Sequence, residues 1–342
     1  MDSLSKIPRA ERKKIRLESD NLVQFETLNP GKGPLPLIIH RQASELRLQS
    51  WIRTNRPLIE SSLLKHGGVL FRGFQVGGVD GFRDVVSAVG GEFEQYMYRS
   101  TPRTELGGGV YTSTEYPADE HIPLHNENSY SDAWPRRLFF YCEQPAEQGG
   151  ATPIADSHRV FDRIPAAVRE KFIARKVMYL RNYECGVDLP WQEVFQTRDR
   201  HKVEQFCAQH GIQAEWIGRE RLRTRQVCQA VARHPDTGKM VWFNQAHLFH
   251  ISGLEPNIRD ALLEAFSEED LPRNAYYGDG GPIATDELNA VREAYADEEI
   301  SVAWEKEDVL LIDNMAAAHG RKPFRGDRKI RVAMTNMVSS SI

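Results

Sequence analysis

The sequence predicts a mainly β fold, a sandwich or jelly roll carrying helical insertions. Short apolar runs recur from residue 138 onward: Leu138-Phe139-Phe140-Tyr141, Met240-Val241-Trp242-Phe243, Val309-Leu310-Leu311-Ile312 and Ile330-Arg331-Val332-Ala333-Met334. Runs of this length, bounded by turn residues, read as strands. Helix-like stretches around 159–176, 200–210, 256–266 and 284–296 separate them. Strands and helices do not alternate one for one, which argues against a doubly wound parallel sheet.

The remaining elements follow in order. Residues 1–35 read as an N-terminal extension, and 36–342 as a single domain, since no repeat or composition break divides it. The basic cluster Arg9–Arg16 reads as a solvated helix rather than an anchor for an acidic partner. Pro30, Gly31, Gly33, Pro34 and Pro36 punctuate the chain before the short strand Leu37–His40. Leu46, Leu48, Trp51, Ile52, Leu58, Ile59, Leu63 and Leu64 recur at helical spacing over 43–66, and Pro57 predicts a division into two helices. Gly67-Gly68 ends that stretch, Val69–Phe74 reads as a buried strand, and a helix over 79–89 stops at Gly90-Gly91. The segment 100–120, rich in Thr, Gly, Ser and Pro, reads as a loop beside a site.

Composition narrows the function classes. The 342 residues are 40% apolar and 27% charged, enough for a packed core in one large domain. Lys and Arg number 44 against 48 Asp and Glu, a net charge of −4, which argues against a nucleic-acid binder. No uninterrupted apolar run approaches about 18 residues, so no membrane span is expected. Cys142, Cys185, Cys207 and Cys228 form no CxxC pair and read as inert thiols in a reducing compartment. The first residues lack the apolar stretch of a signal peptide, and the expected location is the cytoplasm.

Chemistry concentrates in two segments. In Pro123-Leu124-His125-Asn126-Glu127, His and Glu two positions apart lie on the same side of an extended chain and can reach one metal ion. The segment Asp313–Arg321 follows the apolar run Val309–Ile312 and supplies His319. Two His and one carboxylate make a facial set that leaves three octahedral positions open, as in non-haem Fe(II) oxygenases. The His-x-Glu pair is a weak signal alone, since 11 His and 48 acidic residues make chance pairs common. Arg328, a short distance after His319, offers a planar fork suited to a carboxylate. Its bland alternative is a salt bridge at a strand edge.

With these residues, and with Phe71-Arg72-Gly73-Phe74, His234-Pro235-Asp236-Thr237-Gly238, Trp242-Phe243-Asn244-Gln245 and Thr152 downstream of Glu127, the chain resembles the TauD/TfdA branch of Fe(II)/2-oxoglutarate-dependent dioxygenases. The resemblance covers about residues 37–338. Within the branch it is most similar to SyrP-like members, which hydroxylate amino acids in nonribosomal peptide pathways. The resemblance implies a double-stranded β-helix (jelly roll). It implies Fe(II) on His125, Glu127 and His319, and 2-oxoglutarate gripped by Arg328, with Arg331 as second choice and Thr152 adding a hydrogen bond. O2 is the third reactant. The implied reaction is hydroxylation of an unactivated carbon of an amino-acid-like substrate, free or tethered to a peptidyl carrier protein. Related halogenases lack the carboxylate; Glu127 therefore points to hydroxylation or desaturation. Glu in place of the commoner Asp departs from the wider family pattern but fits the SyrP-like members. Oligomers are common among relatives, so a homo-oligomer is a further expectation.

Competing readings are desaturation or cyclisation on the same scaffold, a non-catalytic binding module of a biosynthetic complex, and a cupin-like zinc or manganese protein that needs no cosubstrate arginine. Pro123 between His121 and His125 argues against a helical metal pair. His247 and His250 read as structural, with a second metal as the alternative. His234-Pro235 reads as a turn, Asn244 as a backbone or substrate partner, and Asp156, beside His158, as a helix cap. Arg99, Arg103, Arg136 and Arg137 are candidates for a substrate carboxylate or a carrier phosphate, against a surface role. Tyr96, Tyr98, Tyr130 and Trp134 suit either a pocket or the core. No nucleophile elbow appears, and Gly107–Gly109 lacks the Lys of a phosphate loop.

Overall fold

The computed structural model describes residues 22–28, 30–93, 98, 103–183 and 187–339. Two sheets face each other. The larger has eight strands in the order Val23–Thr27, Leu37–Arg41, Gly68–Arg72, Val309–Asp313, Ala133–Gln144, Lys329–Ser339, Val110–Thr112 and Glu105–Gly107. The smaller has four: Ile300–Val302, Thr152–Asp156, Ala317–Arg321 and Ile122–His125. Leu37–Arg41 pairs with Gly68–Arg72 in parallel, and the helices Leu48–Thr54 and Arg56–His66 supply the crossover that a parallel pair requires.

The interior lies between the sheets. Ile38, Leu70, Leu138, Phe140, Leu310, Ile312 and Val332 of the larger meet Ile154, Ile300, Val302 and Ala317 of the smaller. The larger sheet is covered on its other face too. There Val309, Leu311, Phe71 and Phe139 pack on Trp51, Ile52, Val85 and Val86 of the crossover helix Leu48–Thr54 and of Gly78–Val89. Burial on both faces explains why Val309–Ile312 is apolar without alternation. This is the jelly roll that the strand pattern predicts.

A second antiparallel sheet, Ile212–Ile217, Arg221–Cys228, Val177–Tyr183 and Arg273–Tyr277, packs with the helices Ala166–Arg175, Arg200–Gln209 and Thr285–Glu298 around Phe172, Tyr179, Trp242 and Tyr277. None of its strands is among those expected from the sequence. Arg221–Cys228 shows why: Arg221, Arg223 and Arg225 alternate with Leu222, Thr224 and Gln226, and its arginines are matched by acids rather than by apolar burial.

Other differences are local. The helical stretch 43–66 divides at Asn55, with Pro57 in the first turn of the second helix and Gly67 closing it at φ 70°. The stretch 159–176 divides into Ser157–Arg163 and Ala166–Arg175 at Ile164-Pro165, because the residue before proline is pushed out of the helical region. The loop 100–120 contains a hairpin, Glu105–Gly107 with Val110–Thr112, turned by Gly108 and Gly109. Within the segment read as an extension, Val23–Thr27 pairs with Leu37–Arg41, and Leu35 is fully buried. The basic cluster Arg9–Arg16, Tyr96, Arg99 and Cys185 lie outside the described residues. Among the described residues no helix is long and apolar enough to cross a membrane.

Candidate active site

His125 is the last residue of Ile122–His125, and His319 is central in Ala317–Arg321. The two are register partners across the small sheet, with ring centroids 4.5 Å apart. A Cβ on the adjacent Gly320 would stand 2.5 Å from the Ile122 carbonyl oxygen, so only glycine lets these strands close at that point. Glu127 lies two positions beyond His125, with its Oε2 3.9 Å from His319 Nε2. One donor atom from each of the three lies within 4.8 Å of the others, the only such group among the described residues. Ligand atoms about 2 Å from one ion are at most ~4 Å apart, so small side-chain rotations would close the set on a metal.

The protonation states suit that use. His125 Nδ1 donates to the Pro123 carbonyl at 2.9 Å. A carbonyl only accepts, so Nδ1 carries the proton and Nε2 is left as a ligand. Burial lowers the pKa of both His125 and His319 and keeps the rings neutral. His319 packs on Phe140 at 5.0 Å, and its buried Nδ1 has no hydrogen-bond partner among the described residues. Burial alone would raise the pKa of Glu127. The Arg103 guanidinium outweighs it and holds the carboxyl at about 2. Arg103 donates to Glu127 Oε2 at 2.7 Å, with both side chains buried.

Arg103, His125, Phe140, Thr152, His319 and Arg328 line one cavity. Arg328 Nε donates to the Gly150 carbonyl at 3.0 Å, and the guanidinium lies over Phe324. It has no acidic partner among the described residues. Burial, and then the neighbouring Arg321, push its pKa down to about 10. A half-buried cation left in this state suits an incoming carboxylate. Gly150 makes room for it: at φ +69°, a Cβ there would stand 3.0 Å from Arg328 Cδ. Thr152 Oγ1 accepts from the Trp304 indole at 2.9 Å, which leaves its own hydroxyl proton for the cavity. Arg331 does not line the cavity. It points to the other face of its strand, where its Nε donates to Glu143 at 2.6 Å.

The other candidates separate from the site. Arg136 pairs with Asp313 and Asp236, and Arg137 with Glu60. His247 Nε2 bonds the Leu124 carbonyl and His250 accepts from Ser252 N, so their H-x-x-H is structural. His121 is exposed on a loop. His234 closes the turn between Val231–Arg233 and Met240–Trp242. Asn244 satisfies the backbone of Ala230 and Ala246. Asp156 caps Ser157–Arg163, and His158 bonds the Met240 carbonyl. Tyr98, Tyr130 and Trp134 are core residues. Sequence reasoning assigned no role to Trp304, Phe140 or Asn314. Their signals were absent because each acts through a contact with a residue remote in the chain.

A jelly roll with two histidines and a carboxylate at one end of its smaller sheet, beside an arginine with no acidic partner among the described residues, defines a class of metal-dependent oxygenases. The chain matches the family described as "Taurine catabolism dioxygenase TauD, TfdA family" over residues 33–334. It is 42% identical over 283 residues to the dapdiamide synthesis protein DdaC of Enterobacter agglomerans, covering 83% of this chain and 86% of the relative. It is 32% identical over 295 residues to a clavaminate synthase-like protein of Arabidopsis thaliana, again covering 83% and 86%. Among solved structures it superposes on PvcB from Pseudomonas aeruginosa with a TM-score of 0.56 at 15% identity, covering 94% of this chain and 93% of that one. PvcB is described as an Fe, alpha-ketoglutarate dependent oxygenase from an isonitrile synthetic pathway. The chain belongs to the TauD/TfdA family of iron- and 2-oxoglutarate-dependent oxygenases, and its fold is the double-stranded β-helix of that family.

Proposed function

We propose that this chain hydroxylates an unactivated carbon of an amino-acid-like substrate in a biosynthetic pathway, with His125, Glu127 and His319 holding Fe(II). The observation that carries the reading is a neutral-His and carboxylate triad whose histidines share one cavity with an arginine that has no acid among the described residues. Bound iron, with 2-oxoglutarate and O2, supplies the oxidising chemistry: one oxygen atom enters the substrate C–H bond, the other enters succinate, and CO2 leaves. Arg328 binds the distal carboxylate of 2-oxoglutarate through its guanidinium, and Thr152 donates its hydroxyl proton to the same ligand. Phe140, Ile330 and Val332 form the apolar wall that limits water at the site. Glu127 stays ionised and Arg103 holds one of its oxygens, so the carboxylate position is filled and halide has no place there.

The substrate class rests on the relatives' roles in dapdiamide and isonitrile synthesis. A peptidyl carrier protein and a second copy of the chain are partners to test. The proposed catalytic unit reaches back from residue 36 to the sheet strand Val23–Thr27, and the buried free thiols Cys142, Cys207 and Cys228 suit the cytoplasm. The test is an anaerobic titration with Fe(II) and 2-oxoglutarate, read by the visible metal-to-ligand charge-transfer band. The band is expected in the natural chain and absent from Arg328→Ala at the same concentrations. Fe(II) binding without the band would remove the cosubstrate reading. With substrate supplied, a mass gain of one oxygen supports hydroxylation, and a loss of two hydrogens supports desaturation or cyclisation instead.

A further inference from the structure

The strand Ile122–His125 ends one ligand before the set is complete, so Glu127 lies beyond the sheet's hydrogen-bond ladder. Its peptide groups are met by a side chain instead. Asn314, fully buried, accepts the Glu127 N–H on Oδ1 at 2.7 Å and donates from Nδ2 to the Glu127 carbonyl at 2.9 Å. The same Nδ2 donates to the Pro135 carbonyl at 2.9 Å. The Asn314 carbonyl in turn accepts from Asn126 Nδ2 at 2.7 Å. The amide thus pairs with a peptide in both directions, as a neighbouring strand would.

Asn314 is itself held firmly. The preceding Asp313 accepts from the backbone N–H of Met315 at 3.0 Å, and is bound by Arg136 at 2.9 Å and His234 at 3.1 Å. That turn leads directly into the strand carrying His319. One side chain therefore ties together two ligand segments whose contacting residues stand 187 positions apart.

We infer that Asn314 is a positioning residue of the metal centre: it orients the Glu127 peptide and so aims the Glu127 carboxylate at the ion shared with His125 and His319. The inference rests on the proposed ligand set. Residues that orient metal ligands typically alter metal affinity 10–100-fold when removed. Aspartate at 314 keeps the acceptor but sets a carboxylate against two carbonyls, and glutamine moves the amide off the peptide.

The experiment uses the full chain and Mn(II) alone, followed by electron paramagnetic resonance, with the Co(II) ligand-field spectrum as a second readout. Asn182 is the matched control. It is equally buried and bonds the Glu269 and Leu271 carbonyls at 2.9 and 2.8 Å, but it sits in the second sheet. Asn314→Ala is expected to raise the Mn(II) Kd about 10–100-fold and to change the Co(II) spectrum. Asn182→Ala is expected to lower the melting temperature while leaving both metal readouts unchanged. Should Asn314→Ala not fold, Asn314→Asp is judged by the same criteria, and unfolding of both variants counts against the inference. It is overturned if a folded Asn314 variant binds Mn(II) as the natural chain does, or if Asn182→Ala weakens the metal equally. His319→Ala separates the two levels: if it binds Mn(II) undiminished, the ligand set itself is wrong, whatever Asn314 does.

Discussion

In the second sheet, Arg223 donates to Asn182 and Asp270, and Arg273 makes a two-nitrogen contact with Asp188. At the cavity of the jelly roll, Arg328 has a carbonyl and an aromatic ring but no acid among the described residues. The two regions use buried or half-buried arginines for different ends. A guanidinium matched to an acid costs little and adds local order. One left without an acid carries a desolvation cost that binding can later relieve. The difference sets the proposed cosubstrate arginine apart from the structural ones on contacts alone.

The largest expected effect tests that separation directly. Arg328→Ala should weaken 2-oxoglutarate binding by about 2–3 kcal/mol, roughly 30–150-fold, by loss of charge-assisted hydrogen bonds. Arg273→Ala should leave it unchanged. Calorimetric titration of the Mn(II)-loaded chain measures both, and equal losses would dissolve the comparison. Stability should run the other way. In the chain free of metal and cosubstrate, Arg328→Met is expected to raise the melting temperature slightly. Arg273→Met should lower it, with a loss of about 2 kcal/mol in unfolding free energy, because Asp188 is left nearly buried without its main partner.

A histidine sharpens the contrast through pH. Burial holds His247 at about 3, well below the 6.5 of an unfolded histidine. The unfolded chain therefore binds the extra proton first, and stability falls as pH drops from 6.5 towards 3. By pH 5 the loss from this residue is about 2 kcal/mol. Melting curves of His247→Gln against pH should be flatter over that window. The smallest effect concerns Gly150, where Ala meets both a left-handed φ and the Arg328 side chain. Gly150→Ala should cost about 1 kcal/mol and weaken 2-oxoglutarate several-fold through displacement of Arg328. Unaltered binding would show that Arg328 does not depend on that cradle.

Much of the site was legible because its chemistry is local. His125 and Glu127 are two positions apart on one extended segment, and Arg328 follows His319 closely in the chain. Strands buried on both faces were legible as apolar runs. The second sheet was not, because its alternating arginines depend on acids supplied from elsewhere in the chain. The choice between Arg328 and Arg331 was open for a related reason. Alternation along a strand puts them on opposite faces only once the strand's start at Lys329 and its inward-facing Ile330 and Val332 are known.

Residue identity alone thus determined the ligand types, the jelly-roll class and the demand for a carboxylate-binding cation. Coordination preference, side-chain period and charge are properties of the residues themselves. Tertiary structure decided which arginine has no acid among the described residues, that Gly150 makes room for it, and that Asn314 grips the Glu127 peptide. Each of these is a contact between segments remote in sequence, and packing sets such contacts to fractions of an ångström where no local pattern reaches.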